Sequence, residues 1–182
     1  MKHAQSRLGP VSRQVRWVDS AGLHVTLKFL GTVPTSLIPE LTDRLERELA
    51  GYKPFRLAIG RLGVFPNPRS PRVLWLALQG DLAALGACQA RVEAATNPLG
   101  FPPEKRPYQP HLTLGRVRET ATPEDLATIG ALSTGLSTDQ TISFPVDAAS
   151  LMRSQLGPGG ARYTRLTELP FSSYQKPRGT LR

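Results

Sequence analysis

One cysteine and three histidines are the whole supply of sulfur and imidazole ligands in this 182-residue chain. A lone thiol, Cys88, excludes a disulfide framework and a thiolate zinc site. His3, His24 and His111 form no HxxH or HExxH pair, so neither a metal nor another cofactor is expected. No apolar run approaches the roughly 20 residues that a bilayer-spanning helix needs. The opening MKHAQSRLGP is basic but has no apolar stretch, so it does not read as a signal peptide. The cytoplasm is the expected compartment, and a membrane is not an expected partner. Acid is also scarce: 14 Asp and Glu face 23 Lys and Arg, a net charge of +9. Eighteen of the cations are arginine, whose planar fork suits phosphate and favours a polyanion such as RNA. A bias towards Arg, Ala, Gly and Pro produces the same excess, so charge alone does not establish that partner.

What is present fits a globular domain. Hydrophobic residues make up 40% and charged residues 20%, and the length suffices for one domain with a real core. The segments 15–18 (VRWV) and 23–30 read as short strands. Leu37, Leu41, Leu45 and Leu49 recur at helical spacing, with Gly51 as the stop. Strands follow at about 55–62 and 73–79, then a helix from near Asp81 to Asn97-Pro98. That helix sets Cys88 with Leu82, Leu85, Val92 and Ala95 on a core-facing side. The proline-rich 98–110 is irregular and leads into a strand at 111–117. Thr122, Pro123 and Asp125 form a helix start. Strands at about 141–146, 149–154 and 162–169 complete the pattern, with LGPGGAR as a turn and SSYQKPRGTLR as a frayed tail.

The order of elements repeats. His24 lies on a strand followed by helix, strand, strand, and His111 begins the same series 87 residues later. This predicts an α+β fold: a bilobal, pseudo-twofold duplicated unit with two mostly antiparallel sheets around a central cleft and helices outside. The chain is expected to form one domain, with lobes at about 15–80 and 81–170 and a tail at 171–182. The strand that precedes His111 has no counterpart before His24. Either the chain starts downstream of the native start, or the protein has dispensed with that strand.

HVTLKFL and HLTLGRV share the pattern His, aliphatic, Thr, Leu. On a strand, His24 and Thr26 project to one face and Val25 and Leu27 to the other; His111 and Thr113 behave alike. Pseudo-twofold packing then aims two imidazoles and two hydroxyls at one point. Imidazole titrates near neutrality, so a neutral ring and a protonated ring can share the roles of base and acid at phosphorus. Threonine hydroxyls donate to nonbridging phosphate oxygens, where negative charge builds.

VRWVDSAGLHVTLKFLG, FRLAIGRLGVFPNPRSPRVLWLAL, RPYQPHLTLGRV and LMRSQLGPGGARYTRL together resemble the 2H phosphoesterases. Within them, the resemblance is to bacterial and archaeal RNA 2',3'-cyclic phosphodiesterases, also called 2'-5' RNA ligases, and it spans residues 15 to 170. It implies hydrolysis of a terminal 2',3'-cyclic phosphate to a 2'-phosphomonoester, without metal, and reversible ATP-independent 2'-5' joining of RNA ends. His24 and His111 match the catalytic histidines, and Thr26 and Thr113 the phosphate-binding threonines. His24 is read as the acid and His111 as the base. Arg116 matches a substrate-side arginine, but strict alternation turns it away from His111 unless a bulge intervenes. Lys28 shares the face of His24 by alternation and steers phosphate, or is a solvated lysine at the rim. Phe65 stacks on a nucleobase or packs within the fold. RNA ends or nucleotides bearing a cyclic phosphate are the expected partners, and a monomer is the expected state. The competing readings are a noncatalytic RNA- or nucleotide-binding module and a phosphodiesterase acting on a small cyclic nucleotide.

Overall fold

The structure, a computed structural model, describes residues 9–135, 142–157 and 160–171. Along the chain run β1 (Val15–Trp17), α1 (Ile38–Leu49), β2 (Phe55–Phe65), β3 (Val73–Gly80) and α2 (Leu82–Thr96). They are followed by β4 (His111–Val117), α3 (Pro123–Gly135), β5 (Ser143–Val146), β6 (Ala148–Gly157) and β7 (Gly160–Pro170). One sheet has the order β1-β4-β3-β2-β5, and β6 and β7 form a second. The registered pairs are antiparallel, as the α+β expectation requires. Among the described residues no helix is long and apolar enough to cross a membrane.

The chain forms two compact units, each drawing on three separate stretches. The stretches of the two units alternate along the chain. The first contains described residues 9–26, 58–80, 109–135 and 142–143. Its core joins Val15, Leu62, Val64, Leu74, Leu114, Val117 and Ile129, one or two from each of β1 to β4 and α3. Leu74 and Ile129 are wholly buried. Alternation explains the strand contributions, since every second residue faces this core. The start of α3 is closed by a reciprocal cap: Thr122 N–H donates to Asp125, and Asp125 N–H donates to Thr122 Oγ1. Both orphan donors at the helix start are thereby satisfied.

The second unit contains described residues 27–57, 81–108, 144–157 and 160–171. Leu41, Leu45 and Leu49, one turn apart on α1, are buried, and Leu85, Cys88, Val92 and Ala95 form the buried side of α2. Leu82, expected with them, stands 42% exposed at the helix start. Asp81 does not cap α2 with its side chain; the carboxylate accepts from Arg56 N–H. Phe55 and Phe171 stack, with Tyr52 against both.

One expected element changes character. The stretch 23–30 is not a strand: only Val25 forms a bridge, antiparallel to Leu112. A turn at Ser20–Gly22, capped by Asp19, interrupts the chain after β1, and no further ladder forms beyond Val25. Residues 158–159 of the expected LGPGGAR turn, residues 172–182 of the expected tail, and residues 1–8 and 136–141 lie outside the described residues.

Candidate active site

Both HxT motifs lie in the first unit, on neighbouring backbone segments. The Val25–Leu112 bridge fixes their register. In an antiparallel pair, residues on either side of a bridge oppose one another in reverse order. Thr26 therefore faces His111, and His24 faces Thr113. Leu112 is buried on the opposite side, so both imidazoles and both hydroxyls occupy a single face. Directly opposed residues have Cβ atoms about 4.5–5.5 Å apart, which makes a compact patch of four polar side chains. His24 and Thr26 are exposed, while His111 and Thr113 are half-buried.

The two rings are oriented identically. Nδ1 of His24 lies 2.7 Å from the Gly22 carbonyl, and Nδ1 of His111 lies 2.7 Å from the Gln109 carbonyl. A carbonyl only accepts, so Nδ1 carries a proton and donates in each ring. In both copies the acceptor is the carbonyl two residues back.

Aromatic rings wall His111. Phe65 meets it edge-on at 5.2 Å and Trp75 at 6.0 Å, while Phe65 and Trp75 stack at 4.9 Å. Trp75 lies where a Cβ on Gly63 would stand, so glycine is needed on β2 beneath the indole. The buried Trp75 Nε1 has no hydrogen-bond partner among the described residues, so packing alone orients that ring.

Arg116 is turned onto the same face by a bulge. On β3, Leu74 pairs with Gly115 but Trp75 pairs with Thr113, leaving Leu114 without an opposite residue. Leu114 and Gly115 are consecutive buried positions, after which Arg116 is exposed and Val117 buried. The extra residue reverses the alternation, so Arg116 joins His111 and Thr113. A Cβ on Gly115 would come within 2.6 Å of a Val15 methyl and 2.9 Å of the Arg16 carbonyl. Only glycine fits at the bulge.

The sequence profile of the 2'-5' RNA ligase superfamily matches residues 11–158. The chain belongs to that superfamily. It is 37% identical over 160 residues to the RNA 2',3'-cyclic phosphodiesterase of Methanothermobacter thermautotrophicus, covering 88% of this chain and 84% of that one. The enzyme of the same name from Aeropyrum pernix is 30% identical over 159 residues, covering 87% and 88%. The structure of Escherichia coli LigT complexed with 3'-AMP superposes with a TM-score of 0.73 at 25% identity, over 94% of this chain and 88% of that one.

Two other residues singled out in the sequence are Lys28, which sits differently from expectation, and Phe65, which takes the second of its two expected places. Lys28 does not share the face of His24, because no ladder beyond Val25 maintains the alternation. Its side chain is 3% exposed and pairs with Glu93, and its ammonium also donates to the Phe101 and Pro102 carbonyls. Three acceptors make Lys28 a strut that pins 101–102 within the second unit. Phe65 commits one ring face to Trp75 and meets the His111 ring edge-on, which is packing within the fold. Tyr108 is half-buried in the second unit, and burial raises its phenol pKa.

Sequence patterns passed over Arg16 and Trp75. Arg16 lies directly opposite Arg116 on β1. The alternation of VRWV around buried Val15 marks Arg16 as outward-facing, but only the pairing with β4 shows what it faces. Trp75 sits in an apolar run that reads as core.

Proposed function

We propose that this protein hydrolyses the terminal 2',3'-cyclic phosphate of RNA to a 2'-phosphomonoester by general acid–base catalysis between His24 and His111. The observation that carries this reading is the Val25–Leu112 bridge, which implies one face for both imidazoles and both threonine hydroxyls. Membership of a superfamily with relatives named RNA 2',3'-cyclic phosphodiesterase supports the choice of substrate.

His111 Nε2, neutral at the start, takes a proton from water as its oxygen attacks phosphorus. The bond from phosphorus to the 3' oxygen breaks, and His24 Nε2 delivers its proton to that oxygen. The products are a 3' hydroxyl and a 2' phosphomonoester, with His111 protonated and His24 neutral; proton exchange with solvent resets the pair. Thr26 and Thr113 donate to the nonbridging oxygens, whose charge grows in the transition state. A 5' hydroxyl in place of water gives a 2'-5' phosphodiester by the same transfers, and the reverse of that step cleaves it. No step requires a metal or a covalent intermediate.

The test is incubation with an oligonucleotide ending in a 2',3'-cyclic phosphate, in EDTA and without ATP. A 2'-phosphomonoester product is expected from the native protein, with a bell-shaped pH profile. Full turnover by His24→Ala or His111→Ala would sink the acid–base assignment.

A further inference from the structure

The indole of Trp75 is hard to explain by stability alone. It occupies the space where a side chain on Gly63 would stand, and a glycine inside a strand weakens it. Its Nε1 is buried without a hydrogen-bond partner among the described residues, an unfavourable state for a donor. An aliphatic residue in the run VLWLALQ would incur neither penalty.

Register shows what the indole is beside. On β3, Trp75 pairs with Thr113 and Ala77 pairs with His111. Trp75 is therefore the diagonal neighbour of His111, a separation within reach of an aromatic side chain. The single methyl of Ala77 leaves room opposite the imidazole for the indole and for Phe65. The two rings meet the imidazole at 62° and 82° respectively, the edge contacts that aromatic pairs favour. The loop joining β2 to β3 is itself seated on α3, where a Cβ on Gly130 would strike the Pro68 carbonyl. The bond to the Gln109 carbonyl holds His111 at one atom, and a ring held at one atom can still swing. Two rings against its flank remove that freedom. We propose that Trp75, together with Phe65, is a positioning residue that holds the His111 imidazole in the orientation required at phosphorus. This role deepens the hydrolytic reading above and rests on it.

The experiment compares Trp75→Leu, which removes the ring, with Trp75→Phe, which keeps one. Turnover of an oligonucleotide ending in a 2',3'-cyclic phosphate is measured well below the melting temperature. Misplacement of a reacting group by about 1 Å can cost about a hundredfold in rate. Trp75→Leu should therefore lower kcat by about ten- to a hundredfold with KM unchanged, and Trp75→Phe should recover most of the loss. Phe65→Leu should give a smaller loss of the same kind, and it decides the matter if Trp75→Leu does not fold. An unchanged kcat, or a rise in KM alone, overturns the proposal.

Proton NMR of the imidazole rings separates this role from the hydrolytic reading, because it needs no turnover. Ring currents of Phe65 and Trp75 should displace the His111 ring protons from the position of a free imidazole. In Trp75→Leu they should move towards that position, while those of His24, which lies across β4 from β3, stay in place. If the native protein turns over nothing, hydrolysis is refuted, and this measurement alone decides whether Trp75 holds the ring. No displacement in the native protein overturns the proposal. So does a movement of both histidines together, which would mark Trp75 as a support of the whole unit.

Discussion

The two HxT copies match through four residues and differ in almost everything that follows. The first sits on a bridge of a single residue, after a capped turn, with His24 and Thr26 exposed. The second occupies a seven-residue strand paired on both sides, with His111 walled by Phe65 and Trp75. At the fifth position one copy has Lys28 and the other Gly115. Lys28 carries the chain into the second unit and fastens it to Glu93 and two carbonyls. Gly115 keeps the chain in the sheet and admits the bulge that turns Arg116. One copy is anchored by charge, the other by close packing, and both present the imidazole through an identical carbonyl bond two residues back. Equal orientation does not require equal scaffolding.

The strongest way to break this comparison is to remove the imidazoles one at a time. His24→Ala and His111→Ala should each lower kcat by about a hundred- to ten-thousandfold. Groups acting as a unit are not additive, so the double variant should fall little below the worse single one. Single-turnover rates on a cyclic-phosphate oligonucleotide measure both, and a double variant slower by the product of the two losses would mean independent roles. Lys28→Met should destabilise the protein by up to about 3–5 kcal/mol, because it removes the cation from the largely buried Glu93 carboxylate and leaves it the Gln89 amide. Urea unfolding reads this, and a change within error would show that the first copy needs no anchor. Gly115→Ala should cost about 1–3 kcal/mol by overpacking against Val15. It should also weaken substrate binding by displacing Arg116; retained stability would mean that the bulge tolerates a side chain.

The smallest effect concerns the core of the unit that Lys28 enters. Burial pushes the Cys88 thiol from 9.0 up to about 11, against a smaller opposing pull from Arg91. Its raised folded value means the stabilising contribution is complete below pH 9 and is lost as pH rises towards 11. The melting temperature should therefore fall across that interval, and less steeply in Cys88→Ala. Parallel curves for the two proteins would remove Cys88 from the account.

Periodicity made most of the fold legible. The leucines of α1, the Thr122–Asp125 cap of α3 and the boundaries of β4 follow from spacing and turn chemistry alone. The candidate face was legible because the motif occurs twice. Residues 23–30 differ from the expected strand because an alternating apolar run signals a strand, but a strand also needs a partner to pair with beyond Val25. Lys28 leaves the expected face for that reason, since alternation has no meaning where the ladder stops. Arg116 required a bulge that the sequence permits at Gly115 without announcing it. Arg16 required knowledge of which strand lies beside β1.

The bulge at Leu114 turns the placement of Arg116 into a question of parity. With one residue extra, the arginine counts as an even step from Thr113; with that residue deleted, the same side chain points into the core. Substitution cannot make this change, because no choice of side chain alters the count. A relative that gains or loses one residue between its second motif and its arginine therefore changes its chemistry in a single event, with every functional residue still in its sequence.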